Sequence, residues 1–396
     1  MARVIVALSG GVDSAVAAAL LQDAGHRVEA LFMSNWDEDD DGYCTSAADF
    51  QDARRVCDEL AIPLHQASFA PEYRERVFAH FLAELEAGRT PNPDVLCNRE
   101  VKFGVGLDYA RRLGAERFAT GHYARIGEGG RLLRGVDRSK DQSYFLHALT
   151  AAQLAECEFP VGGLTKAEVR AIARERGLPV ADKRDSTGIC FIGERPFGDF
   201  VSRWLPGRPG PIETLDGAVI GRHKGLERYT LGQRSGLGIG GRADSGDAPW
   251  FVAAKDLARN ALIVVQGADH AALRCTGVFA SGLHWIPGQA PSDAFSCTAQ
   301  LRYRQPDVAC HVEPRAGGVG VRFAVPQTGA APGQYVVFYD GEECLGGAAI
   351  MTIHPLEDSC RTASRPAASS RPGAAATSTS RSKRLPSPTS DASPTR

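Results

Sequence analysis

Short apolar runs alternate with helix-like stretches along the first third of the chain. The runs occupy residues 4–8, 28–33, 63–69 and 117–123, and the helix-like stretches occupy residues 15–24, 46–61, 71–87 and 100–113. Continuous apolar runs are typical of buried parallel strands, and their alternation with helices indicates βαβ units. The pattern therefore predicts an α/β domain around a parallel sheet, with ligands bound outside the carboxyl ends of the strands.

The second half of the chain has a different pattern, in which short β-like runs are separated by glycine turns. It follows a Pro- and Gly-rich break that starts at Arg203, and it predicts a small β-rich domain to about Gly267. From Ala272 to His354, short strand patterns between Gly and Pro turns predict an all-β barrel. We therefore expect domains at residues 1–202, 203–267 and 268–356, and a tail at 357–396.

Composition narrows the class of protein. The chain has 396 residues, of which 43% are hydrophobic and 23% charged, so two or three domains can each bury a core. The sequence has neither an uncharged apolar run of about 18 residues nor a signal-peptide pattern, which predicts a cytoplasmic protein without a membrane partner. The ten cysteines show no C-x-x-C spacing, which argues against a local zinc or iron–sulfur site and favours buried or reactive thiols.

The formal net charge of −2 is unevenly distributed along the chain. Residues 361–396 contain six Arg and one Lys against one Asp, so the rest of the chain carries a net charge of −8. A nucleic-acid partner would therefore have to meet local basic patches. The tail is rich in Ser, Thr and Pro, so we expect it to be disordered and linker-like, with non-specific RNA affinity as the alternative.

The first predicted strand ends in the sequence SGGVDS, residues 9–14, before an alanine-rich helical pattern. Gly10 and Gly11 allow backbone conformations closed to other residues, and the start of a helix favours an anion. The loop matches neither a Walker A motif nor G-x-G-x-x-G. Ser9, Asp13 and Ser14 add two hydroxyls and a carboxylate, which predicts a phosphate site with Asp13 near a Mg²⁺ ion. The alternative is an ordinary strand-to-helix turn with Asp13 or Ser14 as the N-cap.

Longer motifs connect this loop to a known family. SGGVDS resembles the pyrophosphate loop of the ATP pyrophosphatases, which adenylate an oxygen of their substrate. The chain from residue 3 to about 355 resembles the bacterial tRNA-specific 2-thiouridylases. Six further stretches carry this resemblance: GRTPNPDVLCNREVKF, GHYAR, SKDQSYFL, DSTGICFIGER, GRHKGLERYTLGQRSGLGI and LRYRQ. The resemblance implies a Rossmann-like ATP pyrophosphatase domain, a β-rich central domain and a C-terminal β-barrel. It also implies ATP and Mg²⁺ as cofactors, tRNA as partner, and replacement of the C2 oxygen of the wobble uridine by sulfur.

Two cysteines match the sulfur-handling positions of that family. The resemblance implies that Cys190 carries a persulfide, that Cys97 acts as a nucleophile, and that the two pair in a disulfide. The persulfide sulfur would come from a sulfur-relay protein or a cysteine desulfurase, and a second thiol takes up the bond that is left behind. Whether the persulfide itself or released hydrosulfide attacks stays open. Two buried core cysteines are the alternative, although both positions follow loop-like sequence, where partly exposed and reactive thiols are expected.

The remaining candidate residues fall into three groups. Asp94, three residues before Cys97, is close enough to act as a general base or to position the uracil edge. The resemblance implies contact with the target base for Asn92, Pro93 and Asp94, for which a simple Asx-Pro turn is the alternative. It implies ATP contacts for Ala7, Leu8, Ser9, Gly10, Gly11, Val12, Asp13, Ser14, Met33 and Gly121. It implies tRNA contacts, with plain surface as the alternative, for Lys140, Asp141, Gln142, Arg302 and Tyr303.

The eight other cysteines match no motif and are interpreted as bystanders: Cys44, Cys57, Cys157, Cys275, Cys297, Cys310, Cys344 and Cys360. Two other functions remain alternatives. An adenylating amide or guanidine synthetase would need an ammonia source, yet no stretch of glutaminase size is unassigned. A non-catalytic tRNA-binding or sulfur-carrier protein would not need the SGGVDS loop, because a carrier does not use ATP.

Overall fold

The computed structural model describes residues 1–36, 46–185, 196–239, 248–290 and 293–356. The predictions made for Cys190 and for the tail at 357–396 lie outside these residues, as do Cys44 and Cys360. Within the described ranges, no helix is both long and apolar enough to cross a membrane.

A parallel sheet forms the centre of the first domain. The strands of this part of the chain are β1 (Arg3–Ala7), β2 (Arg27–Ser34), β3 (Leu64–Ser68), β4 (Arg117–Thr120), β5 (Ala124–Ile126), β6 (Leu132–Arg134) and β7 (Cys157–Glu158). Five of them lie side by side in the order β3-β2-β1-β4-β7, and their pairings are parallel. The predicted parallel sheet is therefore confirmed. Its order reverses between β1 and β4, and a crevice at such a switch point is where ligands bind in open α/β sheets.

Helices cover both faces of this sheet. They are α1 (Val12–Asp23), α2 (Ser46–Leu60), α3 (Ala70–Tyr73), α4 (Ala79–Glu86), α5 (Pro93–Leu96), α6 (Leu107–Arg112), α7 (Ser143–Leu146), α8 (Ala151–Ala155), α9 (Lys166–Glu175) and α10 (Phe197–Trp204). A π-helical turn at Arg74–Phe78 joins α3 to α4, and a longer π-helical segment at Cys97–Gly106 joins α5 to α6. In α1, the alanines between positions 15 and 19 are inaccessible to solvent, because small side chains let the helix pack closely on β1 and β2.

The central domain is a four-stranded sheet. Its strands are β8 (Gly210–Thr214), β9 (Val219–His223), β10 (Trp250–Asp256) and β11 (Ala261–Gln266). They lie in the order β10-β11-β8-β9, with β11 and β8 parallel and the other pairs antiparallel. Alternate residues such as Ile212, Val252, Leu262 and Val264 point into its small core and are fully buried. The β-rich central domain is therefore confirmed.

The last six strands close into a barrel. They are β12 (Arg274–Trp285), β13 (Phe295–Gln300), β14 (Val308–Arg315), β15 (Gly318–Thr328), β16 (Tyr335–Asp340) and β17 (Glu343–Pro355). The long strand β12 pairs with β15 on one side and with β17 on the other, so the antiparallel sheet has no free edge there. Val278, Val321, Phe338 and Ile350 fill the interior. This confirms the predicted C-terminal barrel.

A hairpin of the first domain extends the barrel sheet, a feature that the pattern of the sequence does not indicate. The antiparallel strands β5 and β6 pair with each other, and Leu132 and Leu133 of β6 pair with β17. Tyr144, which is fully buried, donates a hydrogen bond from its hydroxyl to the carbonyl of Tyr335 on β16 at 3.0 Å. The two domains therefore share a sheet and a core, and the segment that contains Lys140 lies at their junction. Strands of three residues give too short an alternation to be detected in the sequence.

Candidate active site

The SGGVDS loop forms the start of α1 at the carboxyl end of β1. Gly10 has φ +75°, and a Cβ at this position would lie 2.3 Å from the carbonyl oxygen of Asp49. The Ser14 hydroxyl accepts a hydrogen bond from the Ser9 amide and donates one to the Gly11 carbonyl, at 3.2 and 3.1 Å. Gly11 is the N-cap residue, so the first turn of α1 has no side-chain cap. The proposed N-caps Asp13 and Ser14 are both inside the helix, and the first-turn amides are left to a ligand or to water.

Two lysines hold this loop from opposite ends, and neither was predicted from the sequence. Lys183 donates to the Gly10 carbonyl at 3.0 Å and to the carboxylates of Asp49 and Asp52 at 2.7 and 2.6 Å. Lys166 donates to both carboxylate oxygens of Asp13, at 2.7 and 2.9 Å. The loop conformation therefore depends on side chains more than 150 positions away in sequence.

A local sequence signal places Lys166. Thr165 and Glu168 form a capping box at the start of α9, in which the Thr165 side chain accepts from the Glu168 amide and the Glu168 carboxylate accepts from the Thr165 amide. This box fixes Lys166 as the first residue of the helix. The letters TKAE carry the S/T-x-x-E signature, so the helix start could have been predicted, but the contact with Asp13 depends on the fold.

Met33 lies on one strand that flanks β1, and Gly121 directly follows the other. A Cβ on Gly121 would lie 2.6 Å from the Ser14 amide nitrogen and 2.7 Å from the Asp13 carbonyl carbon, so the chain after β4 touches the backbone of the SGGVDS loop. Met33 lies near the end of β2 and is partly exposed. The side chains of Leu8 and Val12 are buried in the core, so these residues offer only backbone groups to a ligand. The strand ends of β1, β2 and β4 thus meet at one edge.

A chain of charges extends from the loop toward Lys140. Asp185 accepts hydrogen bonds from Lys140 at 2.6 Å and from Arg170 at 3.0 Å, and Lys166 lies 2.8 Å from the same carboxylate. Although burial acts to raise it, the hydrogen bonds from Lys140 and Lys166 lower the pKa of Asp185 to about 2. Asp185 therefore stays ionised, and Lys166 bridges it to Asp13. The Tyr123 hydroxyl also donates to Asp13, at 2.7 Å.

The segment from Asn92 to Cys97 is helical, which corrects the loop-like context expected for Cys97. The Asn92 side chain accepts from the Asp94 amide at 3.2 Å and caps α5, and Pro93 is the first helical residue. An Asn-Pro pair signals a turn, but it also matches the N-cap and N1 positions of a helix. Cys97 follows one turn later and is 2% exposed, so the expectation of a partly exposed thiol is wrong for this structure.

Asp94 lies one helical turn before Cys97. Burial raises the pKa of the Asp94 carboxyl, and the positive charge of Lys102 offsets part of this shift. A carboxylate with a raised pKa is a better proton acceptor than an exposed one. Cys190, the expected partner of Cys97, lies outside the described residues, so their pairing remains a prediction.

The structure brings together the two motifs expected to contact tRNA. The Tyr303 hydroxyl donates to the carbonyl of Lys140 at 3.5 Å, and its ring packs on Phe145 with centroids 4.5 Å apart. Arg302 donates to the carbonyl of Leu231 at 2.9 Å and so joins the barrel to the central domain. Residues that are 163 positions apart in sequence thus share one surface.

The side chains of Asp141 and Gln142 have internal partners. Asp141 is 7% exposed and accepts from the Gly135 amide and from both the amide and the hydroxyl of Ser143, at 2.9, 3.1 and 3.0 Å. Gln142 accepts from the Tyr123 amide at 2.9 Å. These two side chains shape the segment around Lys140, and of the three residues we retain only Lys140 as a candidate for direct contact with RNA.

Comparison with known proteins identifies the family. Family models described as tRNA methyl transferase HUP domain, tRNA methyl transferase PRC-barrel domain and Aminomethyltransferase beta-barrel domain match residues 2–194, 198–266 and 275–350. The chain is 57% identical over 355 residues to the tRNA-specific 2-thiouridylase MnmA of Hahella chejuensis. This alignment covers 89% of this chain and 98% of that protein. The chain belongs to the tRNA-specific 2-thiouridylase family.

Other members of this family agree with that assignment. The enzymes of Marinobacter nauticus and Chromohalobacter salexigens are 57% and 58% identical, covering 88% of this chain and 91% and 92% of their own lengths. The family resemblance inferred from the motifs is therefore confirmed. The domain descriptions mention methyl transfer, whereas these full-length relatives are named thiouridylases. Because agreement over the whole length of a relative is more specific than a domain description, we take thiolation as the activity to be tested.

Proposed function

We propose that this protein is a tRNA 2-thiouridylase, which uses ATP to activate the C2 oxygen of the wobble uridine and replaces that oxygen by sulfur from a cysteine persulfide. The observation that carries the proposal is the SGGVDS loop at the switch point between β1 and β4. It lies in a chain that matches named tRNA-specific 2-thiouridylases over almost their whole length. The C2 oxygen of uridine is a poor leaving group, and an adenylyl group from ATP would make it a good one.

The loop fits a phosphate chain. The left-handed Gly10 and the absent side chain of Gly11 leave the backbone open, and the first-turn amides of α1 supply donors at the positive end of the helix dipole. Gly121 allows the neighbouring strand end to approach without a side chain in the way. We assign Ser9 to Ser14 to the pyrophosphate of ATP, and Met33 and Gly121 to the side of the adenosine.

Asp13 is the residue that would hold Mg²⁺. The described residues contain no cluster of three or more His, Cys, Asp or Glu side chains arranged for a metal. Mg²⁺ does not require one, since it is commonly held by one or two carboxylates together with substrate phosphates and water. Asp13 fits this pattern, but Lys166 occupies its carboxylate in the structure. The ion would therefore compete with Lys166, which retains Asp185 as a second partner.

The sulfur chemistry is assigned to Cys97 and Cys190. A persulfide on Cys190, loaded by a sulfur-relay protein or a cysteine desulfurase, would supply the sulfur atom. The Cys97 thiolate would attack the inner sulfur of that persulfide or of its adduct with the base, which forms the Cys97–Cys190 disulfide and releases the sulfur atom. A reductant must then reduce the disulfide before the next turnover. We assign to Asp94, which lies one helical turn before Cys97 and has a raised pKa, the role of taking the proton that Cys97 loses.

The remaining assignments concern the RNA. Asn92, Pro93 and Asp94 form the first turn of the helix that leads to Cys97, so a base brought to this turn would lie close to the thiol. Lys140 and Tyr303 lie together at the domain junction and offer a charge for phosphate and a ring for stacking. Arg302 supports this surface through its bond to Leu231.

Mass spectrometry of nucleosides tests the proposal. Unmodified tRNA is incubated with the full-length protein, ATP, Mg²⁺ and a persulfide donor, then digested, and we expect 2-thiouridine only when all components are present. Asp13→Ala and a reaction without ATP are the controls. Tight tRNA binding without any 2-thiouridine in the complete mixture would contradict the proposal and point to a carrier.

A further inference from the structure

Two cysteines face each other across the barrel strands β13 and β14. Cys297 and Cys310 are direct register partners, and their Sγ atoms lie 3.6 Å apart. Opposed residues of an antiparallel pair have Cα atoms about 4.5 to 5.5 Å apart, which is within the range that a disulfide spans. The two thiols could therefore be joined with little movement of the backbone.

The two cysteines differ in exposure in a way that suits stepwise oxidation. Cys297 is partly exposed to solvent, whereas Cys310 is buried. Cys297 packs against the barrel core but keeps part of its surface exposed, so it is the thiol that a small disulfide in solution would meet first, and the Cys310 thiol already contacts it. Cys275 and Cys344 provide a contrast in the same barrel, because they are buried and their register partners are Gln327, Pro355, Tyr339 and Leu132.

Cys297 and Cys310 flank a connection that contacts the other two domains. Residues 301–307 connect β13 to β14 and include Arg302 and Tyr303. Arg302 bonds to the central domain and Tyr303 packs against the first domain, so this connection contacts both other parts of the protein. Cys297 and Cys310 lie on the two strands immediately outside it. A covalent bond between them would close the hairpin at its base.

We propose that Cys297 and Cys310 are a modification site, at which a low-molecular-weight disulfide such as oxidised glutathione converts the two thiols into a cross-strand disulfide. The Cys297 thiolate attacks one sulfur of the small disulfide, which forms a mixed disulfide and releases one small thiolate. The Cys310 thiolate then attacks the Cys297 sulfur, which forms the Cys297–Cys310 bond and releases the second small thiolate. Two protein thiols are oxidised, one small disulfide is reduced to two thiols, and the two protons pass to the released thiolates.

The rate of this exchange is set by the thiolate population. The hydrogen bond with Cys310, burial and the nearby Asp340 carboxylate raise the pKa of Cys297. Only thiolate attacks a disulfide, so the reaction is expected to be slower at neutral pH than that of an ordinary exposed thiol. The pair is therefore distinct from a fast catalytic thiol, and the inference holds whether or not the active site performs the chemistry proposed above.

Peptide mapping of the full-length protein tests the proposal without tRNA or ATP. The protein is equilibrated with buffers of increasing oxidised-to-reduced glutathione ratio, its remaining thiols are alkylated, and it is digested without reduction. We expect a cross-linked peptide pair containing Cys297 and Cys310, lighter by two hydrogens than the sum of the two peptides, that increases with the oxidised fraction. Recovery of both cysteines alkylated at the most oxidising ratio, or of a stable mixed disulfide on Cys297, would overturn the proposal.

Variants and thermal unfolding supply a second readout. Cys297→Ala and Cys310→Ala should each abolish the cross-linked peptide, whereas Cys275→Ala, a change of a buried cysteine on strand β12 of the same barrel, should leave it unchanged. Because a cross-link restricts the unfolded chain, oxidation should raise the thermal midpoint of the wild type by a few degrees more than that of Cys297→Ala, in which any other disulfide can still form. An equal rise in both proteins would show that oxidation acts elsewhere.

Discussion

The SGGVDS loop and the Asn92–Cys97 segment are held in place in different ways. The loop relies on distant side chains: Lys183 on the Gly10 carbonyl, Lys166 and Tyr123 on Asp13, and the missing side chain of Gly121. The Asn92–Cys97 segment is built locally, because Asn92 caps the helix that presents Asp94 and Cys97.

The difference separates two kinds of function within one site. Substitutions around the loop should alter the conformation that receives ATP, and they can do so from far along the chain. Conservative substitutions of Asp94 and Cys97 should leave the loop unchanged and act on the sulfur chemistry. The contributions of the SGGVDS loop and of the Asn92–Cys97 segment can therefore be distinguished by measuring adenylation, persulfide loading and tRNA binding separately.

The largest effects are expected at the two sulfur-handling cysteines. Cys190→Ser removes the atom that carries sulfur, so it should neither accept persulfide nor thiolate tRNA, while adenylation persists. Cys97→Ser should still load persulfide on Cys190 but stall in turnover, with multiple-turnover thiolation falling on the order of 10³-fold or more. Persulfide loading followed by mass spectrometry, together with product formation, distinguishes the two variants.

Peptide mapping of the wild type supplies the control for this prediction. After a single turnover, Cys97 should be recovered joined to Cys190, and a reductant should restore activity. Persulfide found mainly on Cys97, or full multiple turnover by Cys97→Ser without a strong external thiol, would contradict the division of roles.

The next largest effect is expected from changes that disturb the loop. A Cβ added at Gly121 must displace the backbone of Asp13 and Ser14, a distortion that costs about 1–3 kcal/mol, so Gly121→Ala should weaken ATP binding. Asp13→Ala should abolish adenylation. Both should leave tRNA affinity nearly unchanged. ATP titration and tRNA binding measured on the same preparations check this.

Gly163→Ala is the matched control for Gly121→Ala, because a Cβ there would meet no atom within 4 Å. It should behave as wild type in both assays. If Gly121→Ala lost tRNA binding and ATP binding equally, misfolding and not a local change at the loop would explain the result.

A smaller effect, specific to the Asn92–Cys97 segment, is expected when the pH of the reaction is varied. If Asp94 accepts a proton, it must be ionised, and its raised pKa means that the rate of sulfur transfer falls as pH decreases through that value. Single-turnover rates measured against pH should therefore show an acidic limb that Asp94→Asn removes, with a low, flat rate. Adenylation should lack this limb. A limb that survives in Asp94→Asn would assign the titration to another group.

The sequence predicted the parallel sheet, the barrel and the loop because each has a local signature: apolar runs, repeated short strands, and two glycines before an alanine-rich helix. It failed where the decisive contact is between distant residues. Lys183 has no motif of its own, and the capping box places Lys166 at a helix start but not against Asp13. The bond between the Tyr303 hydroxyl and the Lys140 carbonyl joins two domains. Cys97 was placed in a loop because an Asn-Pro pair fits both a turn and a helix start, and only packing decides between them.

The smallest effect is expected at the surface proposed to contact RNA, where Lys140 and Arg302 differ in their contacts. Lys140 is 26% exposed and paired with Asp185, so its charge is available to a phosphate only in part. Lys140→Gln should weaken tRNA binding modestly and lower the salt dependence of the affinity by roughly one unit of slope in log Kd against log salt.

Arg302→Gln should instead loosen the contact with Leu231, with a lower thermal midpoint and little change in slope. Binding isotherms at several salt concentrations, together with thermal unfolding, separate the two outcomes. An unchanged slope in Lys140→Gln would remove this residue from the interface, whereas a reduced slope with an unchanged midpoint in Arg302→Gln would show that Arg302 also contacts phosphate directly.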